Sequence, residues 1–204
     1  MWPDLEPLPV HVPDAQWHAL ADAYATPPRA YHNFDHVREV LRQFRAVADG
    51  SGWRDPASVL FAVLYHDAIY EPGRSDNESR SAGLAREHLA CWQPQVDADR
   101  VAHLIELTAR HGGLSPADVD HDEALFLDCD MAILGAEPTA FAAYDRGIAA
   151  DYRGVVPPWM YRLNRRRFLK GLLARERLYL SDFFHARLDA QARINLRRAV
   201  TEKR

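Results

Sequence analysis

From Val59 to Tyr70 the chain carries apolar side chains at almost every position, interrupted only by the adjacent pair His66-Asp67. Asp55-Pro56 supplies a cap and a first-turn proline ahead of that run. The pattern therefore predicts a helix apolar on every face, sunk into the middle of a core and ended by Glu71-Pro72-Gly73. The other elements arrange themselves around it. Residues 1–13 hold four prolines and no periodicity, an extended lead-in. Asp14 caps a helix to about Ala25, stopped by Pro27-Pro28, and Asn33 caps a second in which Val37, Val40, Leu41, Phe44 and Val47 recur at helical spacing. Ser75 and Glu78 have the form of a capping box opening a helix to about Trp92, before Pro94. Asp97 starts another, with Val101, Leu104, Ile105 and Thr108 inward and His111-Gly112-Gly113 at its end. After an acidic linker over residues 115–123, Ala124 to Gly135 is a second buried helix, apolar but for two carboxylates. Pro138 opens a helix to about Tyr152 with Phe141, Tyr144 and Ile148 inward. Gly154 to Pro158 is a loop, a long helix follows through Tyr179, and a last one runs from about His185 to the C-terminus. No alternating pattern lasts long enough for a strand. The expectation is one all-α domain, a helical bundle over residues 1–204.

Composition narrows the function. A chain of 204 residues that is 48% hydrophobic can bury a sizeable core unaided. A net charge of -4 offers no basic field for a nucleic acid polymer. The two cysteines, Cys91 and Cys129, make neither a disulfide framework nor a zinc pattern. No leader-like N-terminus and no run of membrane length is visible, so a cytoplasmic protein without a membrane partner is expected. The oligomeric state stays open.

The chemistry lies in polar residues placed on apolar helices. His36 neighbours the apolar stripe of its helix, His66-Asp67 closes the central one, and Asp128 and Asp130 interrupt the second apolar helix. Two residues apart, Asp128 and Asp130 cannot share a helix face, so one faces the core and the other a neighbour or water. A buried carboxylate beside an imidazole is costly unless a partner removes the penalty. A core histidine satisfied by backbone, with Asp67 capping a turn, is the plain alternative for the pair alone. Converging imidazoles and carboxylates from three helices instead form a mixed nitrogen and oxygen set. That set favours one divalent ion (Mn, Fe, Co, Ni, Zn or Mg) with positions left open for water and substrate.

The ordered set His … His-Asp … Asp on an all-α chain resembles the HD superfamily of metal-dependent phosphohydrolases. Around it, Tyr31-His32-Asn33, His66-Asp67-Ala68-Ile69-Tyr70, Asn77-Glu78, Thr108 with His111, Asp128-Cys129-Asp130 and Arg193 with Asn195 are similar to a bacterial family of predicted HD-domain hydrolases. The likeness covers nearly the whole chain. It implies the HD-domain bundle, with His36, His66, Asp67 and Asp130 as metal ligands; Asp128 is the alternative to Asp130 as the last ligand, or else a residue supporting it. The implied activity is hydrolysis of a phosphomonoester or phosphodiester of a small molecule, a nucleotide among the candidates, by metal-activated water.

Around the ligands, Asp67, Glu78 and Glu71 are the candidates for acid/base or water-orienting work, although capping alone also explains Glu78. His111, His32, Arg74, Arg80 and Arg167 are the candidate substrate contacts. The plain readings are a helix-end cap for His111 and a solvated face for the basic run holding Arg167. Two other functions compete. A di-iron oxygenase of the same architecture would draw further ligands from His103 and His111, and a non-catalytic metal- or nucleotide-binding module would keep the site without turnover.

Overall fold

Pro56–Tyr65 forms the central helix, α3, in which every residue from Ser58 to Tyr65 is buried. Asp55 caps it by accepting the Ser58 amide at 3.0 Å, as the Asp-Pro start predicts. The computed structural model describes residues 7–201. Residues 1–6 of the expected lead-in and the last three residues lie outside the described residues. Around α3 pack α2 (Phe34–Ala48), α4 (Asn77–Trp92), α5 (Ala98–Thr108) and α6 (His121–Met131). The outer layer is α1 (Asp14–Ala25), α7 (Pro138–Asp151), α8 (Pro158–Leu173) and α9 (Asp182–Thr201). Among the described residues there is no strand, only an isolated bridge between Arg153 and Val156, and the fold is all-α. No described helix is long and apolar enough to cross a membrane.

The apolar stripe of α2 goes inward as its spacing requires, with Val37, Val40, Leu41, Phe44 and Val47 all buried. Several boundaries differ from expectation, each because polar groups capture the backbone first. The central helix ends at Tyr65 rather than Tyr70, since the Arg29 guanidinium takes the carbonyls of Asp67 and Ala68 and bends the chain away. His66-Asp67 thus sits in a turn at the helix end. α4 starts at Asn77 with Asp76 at its cap, and no Ser75–Glu78 box forms. Instead the Asn77 side chain accepts from the Glu71 amide and donates to the Glu71 carbonyl, both at 3.0 Å. The acidic linker holds a short 3₁₀ turn, and Asp120 with Glu123 forms the capping box that opens α6 three residues early. α8 stops at Leu173 rather than Tyr179. Arg193 binds the carbonyls of Leu173, Arg175 and Glu176, while Asp189 and Asp128 take the amides of Leu178, Leu180 and Ser181. α9 then begins at Asp182. α6 passes through a 3₁₀ turn ending at Gly135, where a Cβ would lie 2.6 Å from Leu188 Cβ. α9 therefore packs on backbone there.

Candidate metal centre

Three elements bring the donors together. His36 sits in the first turn of α2, where Asn33 caps the helix by accepting the Asp35 amide at 2.8 Å. His66 follows the last residue of α3, and its Nδ1 lies 2.9 Å from the Val63 carbonyl. A neutral ring donating from Nδ1 leaves the Nε2 lone pair free to point at the cluster. Asp130 lies in the last turn of α6. His36 Nε2 is 3.0 Å from His66 Nε2, 3.0 Å from Asp130 Oδ1 and 3.6 Å from Asp67 Oδ2. His66 Nε2 is 3.3 Å from Asp67 Oδ2 and 3.6 Å from Asp130 Oδ1. Donor atoms of His36, His66 and Asp67 all lie within 4.8 Å of one another, a group that could hold a metal ion.

The spacing fits that use. Donors about 2.1 Å from a common ion stand about 3.0 Å apart at right angles and about 3.4 Å apart at tetrahedral angles. Without an ion, two imidazole nitrogens and two carboxylate oxygens face each other with no donor for most of the contacts. Only one proton can lie between the two Nε2 atoms. Burial opposes a charged His66, but Asp67, Asp130 and the Val63 carbonyl outweigh it and lift the ring to about 9. Burial would raise Asp67, yet His66, His32 and His36 hold its carboxyl well below the usual carboxylate range. Asp130 is likewise held low against burial, chiefly by His36 and His66. The cluster attracts positive charge to its centre, and a cation satisfies the same lone pairs as a proton.

The two imidazoles are buried, while Asp67 and Asp130 keep 17% and 22% of their side-chain surface exposed. Access to the donors is therefore from the carboxylate side. Behind them, Tyr31 packs on the His36 ring with centroids 4.8 Å apart, and Tyr144 packs on Tyr31. His36 Nδ1 is buried without a hydrogen-bond partner, so packing rather than a bond orients that ring. Arg29 is a positioning residue the sequence did not reveal. Its guanidinium donates to the carbonyls of Asp67, Ala68, His32 and Ala23, clamping the turn that carries His66 and Asp67. A lone arginine after Pro27-Pro28 carries no periodic signal. Asp151 is a second such residue, accepting from the amides of Ala30 and Tyr31 and contacting His32 Nδ1 at 3.0 Å.

Of the two aspartates in α6, Asp130 reaches the histidines. Asp128 is fully buried elsewhere and accepts from the Leu180 amide, the Ser181 amide and the Ser181 hydroxyl at 2.8, 2.7 and 2.6 Å. His111 follows α5 and is buried, with neither ring nitrogen hydrogen-bonded. Burial pulls its ring down to about 4, against the charge of Asp130. His32 is stacked on Tyr70 at 3.8 Å and held by Asp151. The remaining candidates are not gathered into the cluster. Arg80 pairs with Glu71 at 2.5 Å and Arg74 with Asp76 at 2.6 Å. Glu78 is half-buried in the first turn of α4, and Arg167 is exposed on α8. His103, half exposed, pairs with Glu123 at 2.9 Å rather than facing the histidines. No family model, curated protein or solved structure matches the chain. The site is therefore read from its own atoms.

Proposed function

We propose that the protein is a divalent-metal-dependent phosphohydrolase acting on a small phosphorylated molecule, with His36, His66, Asp67 and Asp130 holding one ion. The observation that carries this reading is the convergence of two buried imidazoles and two part-exposed carboxylates at donor–donor separations of 3.0–3.6 Å. When bound, a divalent ion acidifies its water and neutralises phosphoryl charge. The chain's own residues do the rest. Asp67 and Asp130, ionised and open to solvent, can accept the proton that the attacking water loses. His111, kept neutral by burial, can donate a ring N–H to a phosphoryl oxygen without bringing a competing charge. His32, fixed by Asp151 and Tyr70, lines the approach beside His36. Arg29 holds the Asp67 main chain so that the carboxylate keeps its place.

The test is phosphate release by chelator-stripped protein reloaded with Mn, Co, Ni or Mg, over a panel of phosphomonoesters, phosphodiesters and cyclic nucleotides. Release that requires metal and disappears in His66→Ala and Asp67→Ala is the expected result. No release with any pairing, or release that survives both substitutions, overturns the reading.

A further inference from the structure

A cavity of about 650 Å³ lies between the C-terminal half of α7, α8 and the end of α9, and no proposed metal ligand lines it. Its walls carry four arginines, Arg153, Arg162, Arg165 and Arg166, against a single carboxylate, Asp145. That concentration of positive charge stands out in a chain of net charge -4. Asp145 is already engaged, since Arg165 Nε donates to its Oδ1 at 3.0 Å. Arg165 is held further by stacking over Tyr144, with its guanidinium carbon 5.0 Å from the ring centroid. Arg165 Nη2 also lies 3.0 Å from Asp145 Oδ1, whereas the Tyr161 hydroxyl is buried without a hydrogen-bond partner. A buried hydroxyl left unpaired is costly, and Tyr161 lines the cavity. Among the described residues no carboxylate pairs with Arg153, Arg162 or Arg166, so three guanidinium groups remain for a ligand. Ala149, Val156, Pro158, Leu169 and Val200 make much of the remaining lining apolar, and the volume is that of an ordinary small-molecule site.

We infer that this cavity is a binding site for a small amphiphilic anion, its phosphate or carboxylate head gripped by Arg162 and Arg166 and its apolar body lodged among the α7–α9 side chains. The head group follows from donor geometry, because unpaired guanidinium forks match the oxygens of such anions bidentately. The body follows from the lining, which a fully polar anion would leave unfilled. The site stands apart from the proposed catalysis, so either can fail without the other.

The test is fluorescence titration of the full-length protein with the amphiphilic anion 8-anilinonaphthalene-1-sulfonate, followed by displacement. Decyl phosphate and decanoate are expected to displace it saturably, at one site per chain. Decanol and inorganic phosphate, each lacking half the chemistry, should be at least tenfold weaker. The double substitution Arg162→Gln/Arg166→Gln should weaken binding about tenfold or more for each lost charged contact. Arg167→Gln, on the exposed face of the same helix and outside the cavity, should change nothing. Ala149→Trp keeps every charge and fills the space, so it too should abolish binding in a protein with unaltered circular dichroism. Chelation should leave the affinity untouched. Equal binding by wild type and the double variant, or decanol displacing as well as decyl phosphate, overturns the inference.

Discussion

Exchanging Asp128 or Asp130 for alanine should damage two different properties, although the residues are two apart on one helix. Asp128 is fully buried, and its carboxylate accepts two backbone amides and a hydroxyl from the turn before α9. Asp128→Ala leaves the amides of Leu180 and Ser181 without their acceptor, while the Ser181 hydroxyl can rotate to another. Each buried orphan costs about 1–3 kcal/mol, so the loss of two should be about 2–6 kcal/mol. For a domain of this size that lowers the melting temperature by about 10 °C. Metal affinity should fall little, because none of the donors touches Asp128. Asp130→Ala should do the reverse. Its carboxylate is part-exposed, bonded to His36 and opposed by the charge of Asp67, so apo stability should fall less than in Asp128→Ala. Metal affinity should fall by more than the 10–100-fold typical of groups that merely support a ligand. Calorimetric unfolding of both apo variants, with isothermal titration using Mn or Zn, reads both quantities. A stable Asp128→Ala that has lost the metal, or an Asp130→Ala that binds it as wild type does, would refute the assignment of the two aspartates.

Four further outcomes are expected. Saturating metal at a hundred times its dissociation constant should add about 2.7 kcal/mol to wild-type stability and nothing to His66→Ala, read as a melting shift. Arg29→Met should weaken metal binding 10–100-fold by freeing the turn at Asp67, checked by the same titration. His111 has a folded value of about 4 against 6.5 in an exposed ring, so both states are neutral at higher pH and only the unfolded chain takes the proton first. Stability should therefore drop between about pH 6.5 and 4, by up to about 3 kcal/mol. Urea midpoints of wild type and His111→Leu across that range should differ in slope, and parallel curves would contradict the burial argument. Gly135→Ala should destabilise by about 1–3 kcal/mol, since the new methyl meets Leu188 and its carbonyl oxygen at 2.6 and 2.9 Å; urea unfolding checks it.

Helix existence was written in periodicity and caps. The α2 stripe, the Asp55-Pro56 start and the wholly apolar α3 need only local spacing to be read. His36, His66 and Asp67 were legible for a related reason, since polar groups on apolar elements need compensation wherever they meet. Helix ends were less visible. The stops at Tyr65 and Leu173 are set by Arg29 and Arg193, which reach the backbone from 38 and 20 residues away. No local pattern encodes those reaches. Spacing could show that Asp128 and Asp130 face different ways, but not that the turn before Asp182 would claim the first and leave the second to the histidines. Arg74 and Arg80 illustrate the same limit, as nearby acids engage both on the surface.

His36 and Asp130 touch although they stand 94 positions apart in the chain. An ion arriving before α6 has docked would find fewer donors and no enclosed pocket. If the cluster takes a cation as proposed, uptake would follow assembly of the bundle rather than precede it.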